Sequence, residues 1–121
     1  MPDARVDGPI DYDAIDYDAD VTRPDFAVID PAMGSTNVPV TTPVSVTFTE
    51  PVLNVDTTSF YAMFSITNLP GAVTSSDNIT WTFTPTNDWP AASVISMTLT
   101  SAITDFSGNH FITFGWTFTT Q

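Results

Sequence analysis

The chain has 121 residues, 42% of them hydrophobic, which suffices for one domain with one core and falls short of two ordinary ones. Fourteen carboxylates face two arginines and no lysine, a net charge of −12. That balance leaves nothing to neutralise phosphates and disfavours nucleic acid and anionic membrane surfaces as partners. With no cysteine, disulfides and thiolate chemistry are excluded and the redox compartment stays open.

No apolar run approaches the roughly 18 residues of a membrane span, so no membrane insertion is expected. The start, Met1-Pro2-Asp3-Ala4-Arg5, lacks the basic and apolar regions of a signal peptide. Charge is unevenly spread. Residues 1–30 hold nine of the fourteen acids and both arginines, a net −7, which leaves −5 for the other 91 residues. Two parts with different roles are expected: an acidic N-terminal arm, 1–25, and a compact domain, 26–121.

Within the arm, Ile10-Asp-Tyr-Asp-Ala14 is repeated at once as Ile15-Asp-Tyr-Asp-Ala19. A period of five does not hold one helical face, because five steps of about 100° turn each copy by about 140°. On an extended chain Ile10, Tyr12 and Ala14 share one face and Ile15, Tyr17 and Ala19 the opposite one. Each copy is then a small amphipathic clip, and Ile10, Tyr12, Ile15 and Tyr17 are the expected partner-binding side chains. The bland alternative is a solvated acidic tail. The same stretch carries Asp11, Asp13, Asp16, Asp18 and Asp20, whose oxygens suit calcium. An EF-hand is ruled out, since counting from Asp16 puts Val21 where the turn glycine belongs and Ala27 where the bidentate glutamate belongs.

From Asp25 onward the pattern is that of strands. Phe26-Ala-Val-Ile29 is a short apolar run, and Asp30-Pro-Ala-Met-Gly34-Ser-Thr-Asn37 has turn chemistry. Val44, Val46 and Phe48 alternate with Ser45, Thr47 and Thr49 up to Glu50-Pro51. Phe60, Ala62, Phe64 and Ile66 alternate with Tyr61, Met63 and Ser65, Asn68-Leu-Pro-Gly71 turns the chain, and Val73 marks a short edge strand. Ile79, Trp81 and Phe83 follow, then Ile95, Met97 and Leu99. After the turn Asp105-Phe-Ser-Gly-Asn109, a last strand sets Ile112, Phe114, Trp116 and Phe118 against Thr113, Gly115, Thr117 and Thr119. Helical spacing is absent, and Thr and Val favour strands. About seven strands with Pro, Gly and Asn punctuation predict an all-β chain, an antiparallel sandwich with the acidic arm appended.

Residues 31–120 resemble the bacterial immunoglobulin-like domain family of surface-layer proteins and large adhesins. The resemblance rests on Pro31-Ala-Met-Gly34-Ser-Thr-Asn37-Val38-Pro39, the strand Val44 to Phe48 running into Thr49-Glu50-Pro51-Val52, and Ile79-Thr-Trp-Thr-Phe83-Thr-Pro85. The turn Asp105-Phe-Ser-Gly108-Asn109 and the ending Trp116-Thr-Phe118-Thr119-Thr120 complete it. It implies an immunoglobulin-like β-sandwich serving as a spacer, stalk or adhesive module. Ile95 stands where the family commonly has a tyrosine, and the arm lies outside the resemblance.

Side chains suited to chemistry are few. The one histidine, His110, sits beside a turn, and a nucleophile needs a base next to it. Glu50 with Asp105 is the carboxylate pair to examine for glycosidic cleavage, but a small sandwich offers little room for a cleft. Asp105 has an ordinary role as a turn cap, with Gly108 or Asn109 left-handed. Trp89, Tyr61, Tyr12 and Tyr17 are the aromatics with no assigned core face and are the candidates for stacking on sugars. Asn78-Ile-Thr80 is a formal glycosylation sequon placed on a strand.

These residues predict a non-enzymatic structural protein that needs no cofactor and docks through its arm on neighbouring subunits of a larger assembly. A virion surface component, such as a capsid decoration or fibre protein, satisfies the lack of an export signal and comes first. The alternatives are a calcium-dependent module of a secreted adhesin or surface-layer protein, located outside the cell or on its surface, and a small carbohydrate-binding module.

Overall fold

In the computed structural model, which describes residues 21–121, ten strands build two antiparallel four-stranded sheets and one short two-stranded pair. In chain order they are β1 (Phe26–Asp30), β2 (Val44–Phe48), β3 (Val52–Leu53), β4 (Phe60–Phe64), β5 (Thr67–Leu69), β6 (Gly71–Thr74), β7 (Thr80–Pro85), β8 (Val94–Leu99), β9 (Thr104–Asp105) and β10 (Phe114–Thr119). One sheet has the order β1-β2-β7-β6, the other β10-β8-β4-β5, and β9 pairs with β3. The expected all-β antiparallel architecture is the one found. The strand count exceeds seven because β3, β5 and β9 are two or three residues long, too short for alternation to reveal.

The core follows from the period of two. On β2, Val44, Val46 and Phe48 are buried while Ser45 and Thr47 face outward. Phe60, Ala62, Phe83, Ile95, Met97, Leu99, Trp116 and Phe118 supply the rest of the facing walls. Each fully buried large side chain contributes about 1.5–3 kcal/mol. On β1 the register shifts between Phe26 and Val28. This bulge brings Phe26 and Ile29, three apart, against the same core.

Side chains depart from the sequence expectation where the chain turns, among them Ile112, Ile66 and Trp89. Ile112 is 67% exposed, because the last strand begins only at Phe114 and the loop before it inserts Phe111 instead. Phe111 N–H donates to the Ile103 carbonyl at 2.8 Å, and its ring meets Phe48 edge-on at 5.7 Å. Ile66 is 92% exposed, since Ser65, at φ 56°, reverses the chain from β4 into β5. Trp89, assigned to no core face from sequence, is 3% exposed. It stacks on Phe83 at 6.0 Å, meets Phe118 edge-on at 5.7 Å, and donates its indole N–H to the Thr42 carbonyl at 2.7 Å.

The registers fix two poles. Phe26, Phe48, Phe60, Leu99 and Phe114 lie toward one end of the sandwich, with the loops after β2, β6 and β8. Asp30, Ser45, Pro85, Val94 and Thr119 lie toward the other. The chain comes in at the first pole, where Arg23 Nη1 donates to the His110 carbonyl at 3.1 Å and Thr49 N–H donates to the Asp25 carbonyl at 2.8 Å. It leaves at the second, where Gln121 N–H donates to the Val38 carbonyl at 2.9 Å.

Candidate functional site

The charged side chains of residues 21–121 are confined to loops and strand ends: Arg23, Asp25, Asp30, Glu50, Asp56, Asp77, Asp88 and Asp105. The outward positions of the strands carry Ser45, Thr47, Thr80 and Thr82 on one sheet and Tyr61, Ser96, Thr98 and Thr117 on the other. Both sheet surfaces are therefore uncharged and largely polar, with Val28 on one and Val94 on the other as exposed apolar side chains.

A concave site forms where the chain passes from one sheet to the other. β5 pairs with β4 through Ala62–Leu69, Met63–Asn68 and Phe64–Thr67. A single residue later, after Pro70, β6 begins and pairs with β7 in the opposite sheet through Gly71–Pro85 and Val73–Phe83. The first half of β4 therefore projects past the end of β5. A groove opens there, lined by Thr57, Tyr61, Asn68, Leu69, Pro70, Gly71 and Phe83. The missing Cβ of Gly71 is what lets the Phe83 ring lie under it, since a Cβ would sit 2.5 Å from that ring and 2.7 Å from the Thr84 carbonyl oxygen. Pro70 has no N–H to leave unpaired, and its carbonyl accepts from Thr86 N–H at 3.0 Å. The sequence read Asn68 to Gly71 only as a turn. Its place at a sheet-to-sheet crossing was not visible in residue types.

The acids at the poles serve their own loops. Asp105 is buried, 1% exposed; its Oδ1 accepts from Ser107 N–H at 2.9 Å and Asn109 N–H at 2.8 Å, and its Oδ2 accepts from the Asn109 side-chain amide at 2.9 Å. Gly108 takes φ 88° to close the turn. Asp56 Oδ1 accepts from the Thr58 hydroxyl, Thr58 N–H at 2.8 Å and Ser59 N–H at 3.2 Å. Hydrogen bonds from the Thr58 side chain and backbone hold its carboxyl below the ordinary carboxylate range. Asp77 is lowered likewise, by the backbone N–H groups of Thr80 and Ile79, both at 2.9 Å. Among the described residues no three His, Cys, Asp or Glu side chains gather as a metal-binding group.

The expected arm residues Ile10, Tyr12, Ile15 and Tyr17, and the acids Asp11, Asp13, Asp16, Asp18 and Asp20, lie outside the described residues, as do Tyr12 and Tyr17 as sugar platforms. His110 turns its ring Nδ1 to the Ser101 carbonyl. Asn78 sits in the turn between β6 and β7 at φ 61° rather than on a strand. Of the aromatics proposed for stacking, Trp89 is withdrawn into the core and Tyr61 lines the groove.

Sheets ordered β1-β2-β7-β6 and β10-β8-β4-β5 reproduce the two-sheet strand order of an immunoglobulin-like sandwich, so the protein is an all-β module of that class. It belongs to the bacterial Ig-like domain family, whose model matches residues 20–120. Solved structures share the fold. The N-terminal part of the bacterial S-layer protein SbsC is 23% identical with a TM-score of 0.61, covering 83% of this chain and 24% of that one. An L,D-transpeptidase from Mycobacterium smegmatis is 27% identical with a TM-score of 0.57, covering 82% and 40%. L,D-transpeptidase 1 of Mycobacterium tuberculosis is 24% identical with a TM-score of 0.54, covering 80% and 38%. This chain thus spans less than half the length of each. No curated protein matches it.

Proposed function

We propose that this chain is a non-catalytic structural module of a bacterial cell-surface or extracellular protein. The observation that carries the reading is the arrangement of its ends: the chain comes in beside His110 at one pole and leaves beside Val38 at the other. A module of that geometry can be strung in line with others, which is what a spacer or stalk requires. Family membership and the S-layer neighbours support the surface-layer or adhesin reading over the virion-surface reading that the sequence alone put first. The transpeptidase neighbours support the same role, because this chain corresponds to a minor part of each. The acidic arm, through Ile10, Tyr12, Ile15 and Tyr17, is the proposed contact to a neighbouring subunit, and calcium at Asp11, Asp13, Asp16, Asp18 and Asp20 is the alternative use of the same stretch.

The test is protease shaving of intact source cells followed by peptide mass spectrometry. Peptides of this chain released from unbroken cells are the expected result. Recovery only after lysis, or only in purified virions, overturns the reading. Deleting residues 1–19, which precede the family match, is expected to leave the sandwich folded and to abolish assembly with its neighbour.

A further inference from the structure

We infer that the groove at the β5-to-β6 crossing is a binding site for a neutral saccharide, with Tyr61 as the stacking platform. The inference goes beyond the structural role and does not depend on where the protein resides. Its basis is the chemistry of the lining. Tyr61 presents a half-buried ring at the groove, and Leu69, Pro70 and Phe83 give it apolar walls. Tyr61, Asn68 and Thr57 line the same groove, and the Tyr61 hydroxyl, the Asn68 side-chain amide and the Thr57 hydroxyl hydrogen-bond to no other described residue. An aromatic surface beside a few polar side chains unengaged by the described residues is the composition of a small-molecule site rather than of a packed crevice.

Charge narrows the ligand. None of the lining residues is an acid or a base. The adjacent Asp56 directs its carboxylate to Thr58 and Ser59 in its own loop, so the described residues of the groove offer no partner to a cation. The net charge of −12 repels an anion. A ligand that is polar, uncharged and flat on one face remains, and a pyranose ring fits: its axial C–H face rests on the aromatic ring while its hydroxyls meet the amide and hydroxyl groups. With one platform and an open groove, the affinity is weak, with Kd on the order of 1 mM.

The experiment is an amide chemical-shift titration of the full 121-residue chain with three neutral probes, cellotetraose, maltotetraose and chitotetraose, and with a proline-rich peptide as comparison. The expected result is a saturable response to at least one saccharide at the amides of Thr57, Tyr61, Asn68 and Gly71. Tyr61→Ala is expected to weaken it at least tenfold, Tyr61→Phe to retain most of it, and Asn68→Ala to weaken it severalfold. If Tyr61→Ala fails to fold, Asn68→Ala and Thr57→Ala, both polar and at the groove, carry the test. Silence with all three saccharides at tens of millimolar overturns the proposal. So does a saturable response unaltered by these substitutions, or one given by the proline-rich peptide alone.

Discussion

The indole N–H of Trp116 donates to the Pro31 carbonyl at 3.0 Å within the buried interior, tying the middle of β10 to the residue that follows β1. The two strands are edges of different sheets, so this bond closes one side of the sandwich. Around it, Gly34 N–H donates to the Thr117 carbonyl at 2.8 Å, Thr119 N–H to the Ser35 carbonyl at 2.8 Å and Val38 N–H to the Thr119 carbonyl at 3.1 Å. The segment between β1 and β2 thereby covers the β10 edge, which would otherwise present unpaired groups.

The three tryptophans should consequently respond differently to replacement by phenylalanine. Trp116→Phe leaves the Pro31 carbonyl without its donor, and Trp89→Phe does the same to the Thr42 carbonyl. Each is expected to cost about 1–3 kcal/mol for the orphaned acceptor, beyond the volume lost. Trp81 Nε1 is buried with no hydrogen-bond partner among the described residues, so Trp81→Phe removes an unsatisfied donor and should cost clearly less. Urea unfolding of the three variants measures the order, and a Trp81→Phe loss equal to the others would count against it.

At Gly71 the prediction rests on space alone. Gly71→Ala drives a methyl to within 2.6 Å of two Phe83 ring carbons, and such overpacking is expected to cost about 1–3 kcal/mol. Gly34→Ala is the control: its Cβ meets no described atom within 4 Å, but the residue must adopt φ 78°, for which about 1 kcal/mol is expected. Comparing their urea midpoints separates crowding from backbone strain.

Much of this fold is legible in residue order. The alternation in Val44 to Phe48 and in Ile95 to Leu99 needs only a period of two to be read, and the buried faces follow. What is not legible depends on where the chain turns. Ile112 and Phe111 are neighbours of similar hydrophobicity, and only the closure of the Ile103 to Phe111 loop decides which one goes in. Trp89 lies outside any alternating run, so its burial between Phe83 and Phe118 follows from the arrival of three separate segments. The groove has the same character. Tyr61 can be singled out as outward-facing, whereas Thr57 and Asn68 join it only through the crossing at Pro70 and Gly71.

Asp105 tests whether the closing turn is held by its carboxylate. Asp105→Ala removes the acceptor for two backbone N–H groups and one side-chain amide, and a loss of about 2–3 kcal/mol is expected. Asp105→Asn keeps the oxygen facing Ser107 and Asn109 N–H. A flip of the Asn109 amide then restores the third bond, so a loss of about 1 kcal/mol is expected. Equal losses in thermal or urea unfolding would show that shape rather than hydrogen bonding sets the turn.

Acid should weaken the protein through Asp56 and Asp77. Both carboxyls are held below their ordinary value in the folded state by hydrogen bonds donated to the ionised form. The unfolded chain therefore binds protons first as pH falls, and folding stability declines with it. The contribution is fully present above the ordinary carboxylate range and is lost progressively as pH drops through that range to the lowered folded values. Asp77→Asn, which keeps an acceptor oxygen but cannot ionise, should flatten this acid limb, and the Asp56→Asn, Asp77→Asn double variant should flatten it further. Neither should change the slope near neutral pH. Melting temperatures measured from pH 7 downward test this, and acid limbs that superimpose on the parent's would assign the acid sensitivity to other groups.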